Sequence, residues 1–447
     1  MADETPFHLQ GNFAPVREEV SAEDLEVRGA LPPELCGLYV RNGANPAHGP
    51  TPHWFFGDGM LHGVRLEKGR ALWYRNRYVR TAHFEDPTRQ RISADGKFDR
   101  TLSTANTHIV RHAGRIMALE EGSFPYLVDG DLRTLGCHDF GGRLQTALTA
   151  HPKECPVTGE LFGFGYNPLP PFLTYHRFSA DGELVQSEEI AVGGPTMIHD
   201  FAITETHAIF MDLPVVFDLP LALQGTMPYH WSDEYPARVG IMPRNGNASQ
   251  VRWFEVDPCY VFHGLNAYDD GDAVVFDVCR ISELWRNPGE IIGPGKQTLH
   301  RWIFDLASGT TKEETLDERG MDFPRVADAS TGRKHRYGFT VEFGVSPTNG
   351  APSLAGLLKL DLETGRSESH GFGEGCNPSE AVFVPAAGAD PASDAGYVLC
   401  YVHDENRTQT ELVVLDAQHF EAKPLARVLL PQRVPYGFHG SWFPDAA

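Results

Sequence analysis

Short runs in which apolar and polar positions alternate, or in which β-branched and aromatic residues cluster, recur along the whole chain: GLYVRN, RALWYRNRYV, THIVRHAGRIMAL, HAIFMDL, DAVVFDVC, GYVLCYVH and TELVVLD. Each is bounded by Gly, Pro, Asp or Asn, residues that turn a chain. The pattern predicts an all-β protein. Several units share a hairpin plan around turns such as DGD, SADGE or HAGR, yet no fixed period of about 40 residues is visible. A β-propeller is suggested by that plan and not demonstrated by it. The stretch DLPLALQGTMPYHW is dense in apolar residues and sparse in turn signals, and it predicts a helix or loop packed on the sheet. The competing reading of this stretch is a substrate entrance or a patch that touches lipid.

Length and composition narrow the class. A chain of 447 residues suggests two or three domains as a bare prior, but sheet-rich propellers exceed that rule as single units. The 45 Gly and 33 Pro are spread rather than gathered into a linker, so one domain over 1–447 is expected. A net charge of −22 argues against a nucleic acid or an anionic membrane held by bulk electrostatics. Seven Cys without CxxC spacing indicate neither a disulfide framework nor a thiolate zinc site, and a reducing cytoplasm is the expected location. The start, MADETPFHLQGNF, has no basic head or apolar core of a secretory signal. No run of about eighteen apolar residues predicts a spanning helix. Peripheral contact with a membrane stays open, and no obligate protein partner is indicated.

Of the 20 His, four share a setting: TAHPK (His151), MIHDFAI (His199), YVFHGLNAY (His263) and YGFHGSWF (His439). Each follows a strand-like apolar or aromatic stretch, so all four read as buried strand-end positions. They lie 48, 64 and 176 residues apart in chain order, far from the spacing of a helical HExxH site. If they bind one ion, they must reach it from different sheets, and a propeller is the closed architecture that brings many sheets to one axis. Widely separated histidines can also be unrelated, and spacing alone does not decide between these readings.

The order of longer motifs adds to the picture. GLYVRNGANP, HWFFGDGMLHG, ANTHIVRHAGRIMALEEGSFPY, HPKECPVTGELFGFGY, IHDFAIT, FHGLNAYDDGD, DFPRV, GRKHRYGF, PSEAVFVP and the terminal FHGSW follow one another over some 400 residues. In this order the chain resembles the carotenoid cleavage oxygenase family, which includes carotenoid dioxygenases, the retinal-pigment isomerase and the lignostilbene dioxygenases. The resemblance implies a seven-bladed β-propeller with a small helical and loop cap over its top face. It also implies Fe(2+) held by His151, His199, His263 and His439, with Glu121, Asp322 and Glu380 behind three of them. Asp322 stands where the family usually has Glu, one methylene longer, which leaves open whether it bonds its histidine directly or through water.

The implied chemistry is coherent. Neutral imidazoles suit iron, zinc or copper, and carboxylates behind them fix ring tautomers and offset the ion's charge. A structural zinc is the rival metal, but four histidines on a six-coordinate iron leave two positions for O2 and substrate. The implied reaction is oxidative cleavage of a carbon–carbon double bond of a carotenoid or apocarotenoid into two carbonyl products. Phe56, Glu120, Phe124, Phe172, Phe262, Trp285 and Phe438 are candidates for lining a substrate tunnel, and core packing would equally account for each aromatic. Glu120 stands where the lignostilbene branch carries a phenol-gripping lysine, and no Tyr occurs between Tyr78 and Tyr126. That favours a carotenoid or apocarotenoid over a hydroxystilbene, while a phenylpropene such as isoeugenol remains a rival substrate. The same scaffold would also suit an isomerase, or a non-catalytic propeller that binds a protein and carries a structural metal.

Overall fold

The computed structural model describes residues 6–93, 96–287, 290, 296–345 and 352–445. Its strands form seven antiparallel sheets, the blades of a seven-bladed β-propeller, and one small two-stranded hairpin. The expected fold class is therefore observed. One blade is representative: strands Tyr260–Asp270, Ala273–Ile281, Thr298–Asp305 and Thr311–Asp317 pair in chain order, with Val274, Phe276, Val278 and Trp302 buried. β-Branched and aromatic residues on these strands pack between sheets, where their stiff side chains lose little freedom.

Two blades draw strands from distant parts of the sequence. The C-terminal strand Gly440–Pro444 pairs with Gly37–Ala44, and Val27–Gly29 pairs with Ala426–Leu429. This interleaving, with connections of unequal length, erases any sequence period. By residue contacts the chain divides into two compact units, 1–138 with 339–447, and 139–338. The first has a core around Tyr39, Tyr74, Leu399, Leu412 and Val428; the second has one around Phe162, Phe164, Tyr175, Phe201 and Phe210.

Helix is scarcer than the expected cap suggests. The described residues hold two short α-helices, Ala82–Glu85 and Leu219–Leu223. The second lies in DLPLALQGTMPYHW, the stretch read as a helix or loop packed on the sheet. Asp218 caps it by accepting from the Leu221 N–H at 2.9 Å, but Gly225 takes a left-handed φ of +71° and ends it. The chain then returns as strand Tyr229–Trp231 against Val215–Phe217. Leu219 and Leu223 point to solvent, 59% and 79% exposed, so these two leucines do not pack on a sheet. Among the described residues, no helix is long and apolar enough to cross a membrane. No disulfide joins any of the seven cysteines.

Candidate metal centre

The four histidines occupy equivalent places in their sheets. His151 and His199 stand two residues before the edge strands Lys153–Glu154 and Phe201–Ile203, His263 lies within the edge strand Tyr260–Asp270, and His439 directly precedes the edge strand Gly440–Pro444. All four are buried, and one ring nitrogen of each lies within 4.8 Å of the others. The Nε2 atom of His199 is 3.1 Å from that of His151 and 3.3 Å from that of His263. Two imidazole nitrogens held about 2.1 Å from one ion stand about 3.0 Å apart at a right angle and about 3.4 Å apart at a tetrahedral angle. The two separations fall between these values, so His151, His199 and His263 fit a single metal ion.

Ring orientation is fixed from behind. His263 Nδ1 lies 2.9 Å from Asp322 Oδ1, and His439 Nδ1 lies 2.9 Å from Glu380 Oε1. An Nδ1–H that donates to a carboxylate leaves the Nε2 lone pair free for a metal and makes it more basic. Asp322 thus reaches its histidine directly, and no bridging water is needed to span the missing methylene. Its other oxygen accepts from Gln297 Nε2 at 2.9 Å, and both side chains are buried. With both oxygens engaged, an added methylene is expected to overpack this site by about 1–3 kcal/mol. Asp322→Glu should therefore lower the melting temperature and weaken metal binding about 10-fold. Calorimetric metal titration checks this, and unchanged affinity would show slack in the pocket.

Asp200 emerges from the geometry as a clasp that sequence reasoning missed. It is 1% exposed, and its carboxylate accepts from Lys153 Nζ at 2.8 Å, from the Phe201 N–H at 2.8 Å and from the Gly264 N–H at 2.9 Å. Lys153, Asp200 and Gly264 each stand within two residues of a candidate ligand, so one carboxylate ties together the segments that carry His151, His199 and His263. The only signal in the sequence is the acid directly after His199, which is too common to interpret alone. Asp200→Asn removes the charge that holds Lys153 and is expected to weaken metal binding about 10- to 100-fold while the fold persists. Titration of the variant, with circular dichroism as the control for folding, measures this; full affinity would remove Asp200 from the site.

The glycines that follow His263 and His439 now have a reason. Gly264 N–H donates to Asp200, and Gly440 N–H donates to Glu380 Oε2 at 2.8 Å. A Cβ at Gly264 would stand 2.5 Å from the ring of Phe276, so only glycine lets this strand lie so close to its neighbour.

The remaining candidates divide. Phe262 packs edge-on against the ring of His199, with centroids 5.4 Å apart, and Trp285 lies against Phe262 at 6.1 Å. Phe323, absent from the sequence candidates, stacks on His263 at 5.2 Å. Phe323 and Trp285 both take positive φ, +55° and +53°, an uncommon conformation for bulky residues and one that concentrates at functional sites. In the other unit Phe438 contacts Trp54 and Phe55, and Phe56 lies against His53. Phe124 and Phe172 are half-buried in connections. Glu120 is committed to Arg91 Nη2 at 3.1 Å, with Ser103 Oγ at 3.4 Å. Glu121 is half-buried shortly after strand Arg115–Leu119.

The family model described as retinal pigment epithelial membrane protein matches residues 13–444. The carotenoid 9,10(9',10')-cleavage dioxygenase 1 of Arabidopsis thaliana is 38% identical, the match covering 97% of this chain and 89% of that protein. A carotenoid cleavage oxygenase of Mycobacterium tuberculosis is also 38% identical, covering 98% of this chain and 97% of the relative. Among solved structures, the lignostilbene dioxygenase of Pseudomonas brassicacearum superposes with a TM-score of 0.89 at 31% identity, over 98% of both chains. A cobalt-substituted Synechocystis apocarotenoid oxygenase superposes with a TM-score of 0.84 at 27% identity, over 96% of this chain and 97% of that one.

Proposed function

Because the chain belongs to the family of the retinal pigment epithelial membrane protein and the carotenoid cleavage dioxygenases, we propose that it uses iron(II) and O2 to cleave a carbon–carbon double bond of a carotenoid or apocarotenoid. The observation that carries this reading is the group of four buried histidines that could hold a metal ion, with the Nε2 atoms of His151 and His263 each at a separation from that of His199 that one ion imposes. In this reading His151, His199, His263 and His439 hold the iron. Asp322 and Glu380 fix two of the rings, and Glu121 is assigned the same task for a third. The bound iron would supply the redox chemistry that makes O2 reactive toward a neighbouring alkene.

What this chain's own residues contribute is binding, orientation and dryness. The reaction balances without an acid or base: one alkene and one O2 give two carbonyl products, each keeping one oxygen atom. Phe262, Trp285 and Phe323 present apolar surface beside the histidines, which excludes water and suits a long unsaturated substrate. The exposed Leu219 and Leu223 suit shallow contact with a lipid surface, where such substrates partition.

The structural likeness to a lignostilbene dioxygenase favours a second reading, the same chemistry on a stilbene or a phenylpropene. Glu120 speaks against the hydroxystilbene form of it, since this position carries an acid in place of the lysine by which the lignostilbene branch grips a phenol. The deciding experiment incubates the iron-loaded protein with apocarotenals, stilbenes and phenylpropenes under 18O2. One O2 consumed per apocarotenal cleaved, with label in both carbonyl products, is the expected result. Selective cleavage of a stilbene would transfer the function to the second reading, and cleavage without O2 uptake would remove both.

A further inference from the structure

Arg41 is 5% exposed on strand Gly37–Ala44, and its charge has no ion-pair partner among the described residues. Its Nη1 donates to the Pro435 carbonyl at 3.2 Å, while its Nε has no hydrogen-bond partner. A second guanidinium close by, Arg433, donates to the Asn12 and Ala14 carbonyls and to the Asn12 side-chain oxygen, and it too meets no carboxylate among the described residues. Glu380 is the acid whose field reaches Arg41, but its oxygens are engaged by His439 and Gly440. Burial of this kind is costly: a buried charge is ordinarily paired, because the low-dielectric interior cannot replace its hydration.

Arg41 borders a small cavity of about 10 Å³, room for a single water-sized or halide-sized occupant, lined also by Asn42, Asn45, Met60, His62 and Tyr436. No carboxylate lines it. His62 does not add charge: burial, then Arg41, then Arg433 hold its pKa down to about 3, so the ring is neutral. The lining is therefore one guanidinium with an unpartnered N–H, neutral polar groups and thioether. In a chain of net charge −22 this is a local positive site.

We propose that this cavity binds one small monovalent anion, such as chloride, as the counter-ion of Arg41. The ion would accept from the Arg41 Nε–H and bind the segment Val434–Gly437, which also lines the cavity, to the strand that carries Arg41. That segment leads directly to His439, so the anion would steady the approach of the last candidate ligand. Because the site involves neither the metal nor the substrate, it stands or falls apart from the reading of function above.

Bromide, which scatters anomalously, is the probe. Crystals of the full chain grown in bromide should show an anomalous peak in this cavity beside Arg41, and crystals of Arg41→Gln should show none. In solution, replacing gluconate by chloride at equal ionic strength should raise the melting temperature of the wild type by about 2 °C and leave Arg41→Gln unmoved. If Arg41→Gln fails to fold, His62→Phe, which fills the cavity and keeps Arg41, serves in its place and should abolish the peak. An ordinary water in the wild-type cavity, a melting temperature indifferent to halide, or a peak that persists in Arg41→Gln as an adventitious ion only would each overturn the proposal.

Discussion

His199→Ala is expected to fold, to purify with little metal, and to lose metal affinity and alkene-cleaving activity by more than about 100-fold. His199 is the centre of the arrangement, its Nε2 lying 3.1 Å from one neighbouring Nε2 and 3.3 Å from the other. Loss of a partner behind a ligand commonly weakens a site about 10- to 100-fold, and loss of the ligand itself should exceed that. The fold should survive, because the sheet that His199 precedes is held by the ladder of Phe201–Ile203 with His207–Asp212 and by the apolar core around Phe201 and Phe210. Metal content by mass spectrometry, affinity by titration and a melting curve together test this. A variant that keeps its metal and its activity would show that His199 is a packing residue.

Glu380→Ala should be the most damaging change among the groups behind the ligands. Glu380 is 4% exposed and accepts from two donors, His439 Nδ1 and the Gly440 N–H. Truncation leaves both without this acceptor in a place that water reaches poorly, which costs about 1–3 kcal/mol for each unpaired group. It also frees the ring of His439 to turn and to change tautomer, so metal affinity should fall about 10- to 100-fold. Glu380→Gln should lie between the wild type and the alanine variant, since one amide oxygen can serve only part of what two carboxylate oxygens serve. Titrations of the three proteins should give that order. Equal affinity in all three would mean that the Gly440 strand alone sets the position of His439.

Much of the candidate site was legible in the sequence, and the reason lies in strand ends. His151, His199, His263 and His439 each stood beside a recognisable strand-like run, and each is found at or before an edge strand. Their convergence was not legible from spacing, because separations of 48, 64 and 176 residues carry no distance information until the sheets are placed. Asp200 and Gln297 were missed for the same reason: a buried acceptor is defined by what donates to it, and their partners lie 47 to 64 residues away for Lys153 and Gly264, and 25 residues away for Asp322. In DLPLALQGTMPYHW, read as a helix or loop, the helix is confined to Leu219–Leu223 because Gly225 and Pro228 outweigh the local density of apolar residues.

By itself the sequence determined the all-β class, since alternating and β-branched runs bounded by turn residues leave a chain few other ways to bury its apolar side chains. It also determined which histidines to compare, through the ordered motifs around them. Only the tertiary structure decided that one nitrogen of each histidine lies within 4.8 Å of the others, that Asp322 reaches His263 without a bridge, and that Asp200 fastens three ligand-bearing segments. The physical reason is that local pattern fixes which face of a strand is buried, while ligand geometry is fixed by the relative placement of sheets, a property of packing between residues far apart in the chain.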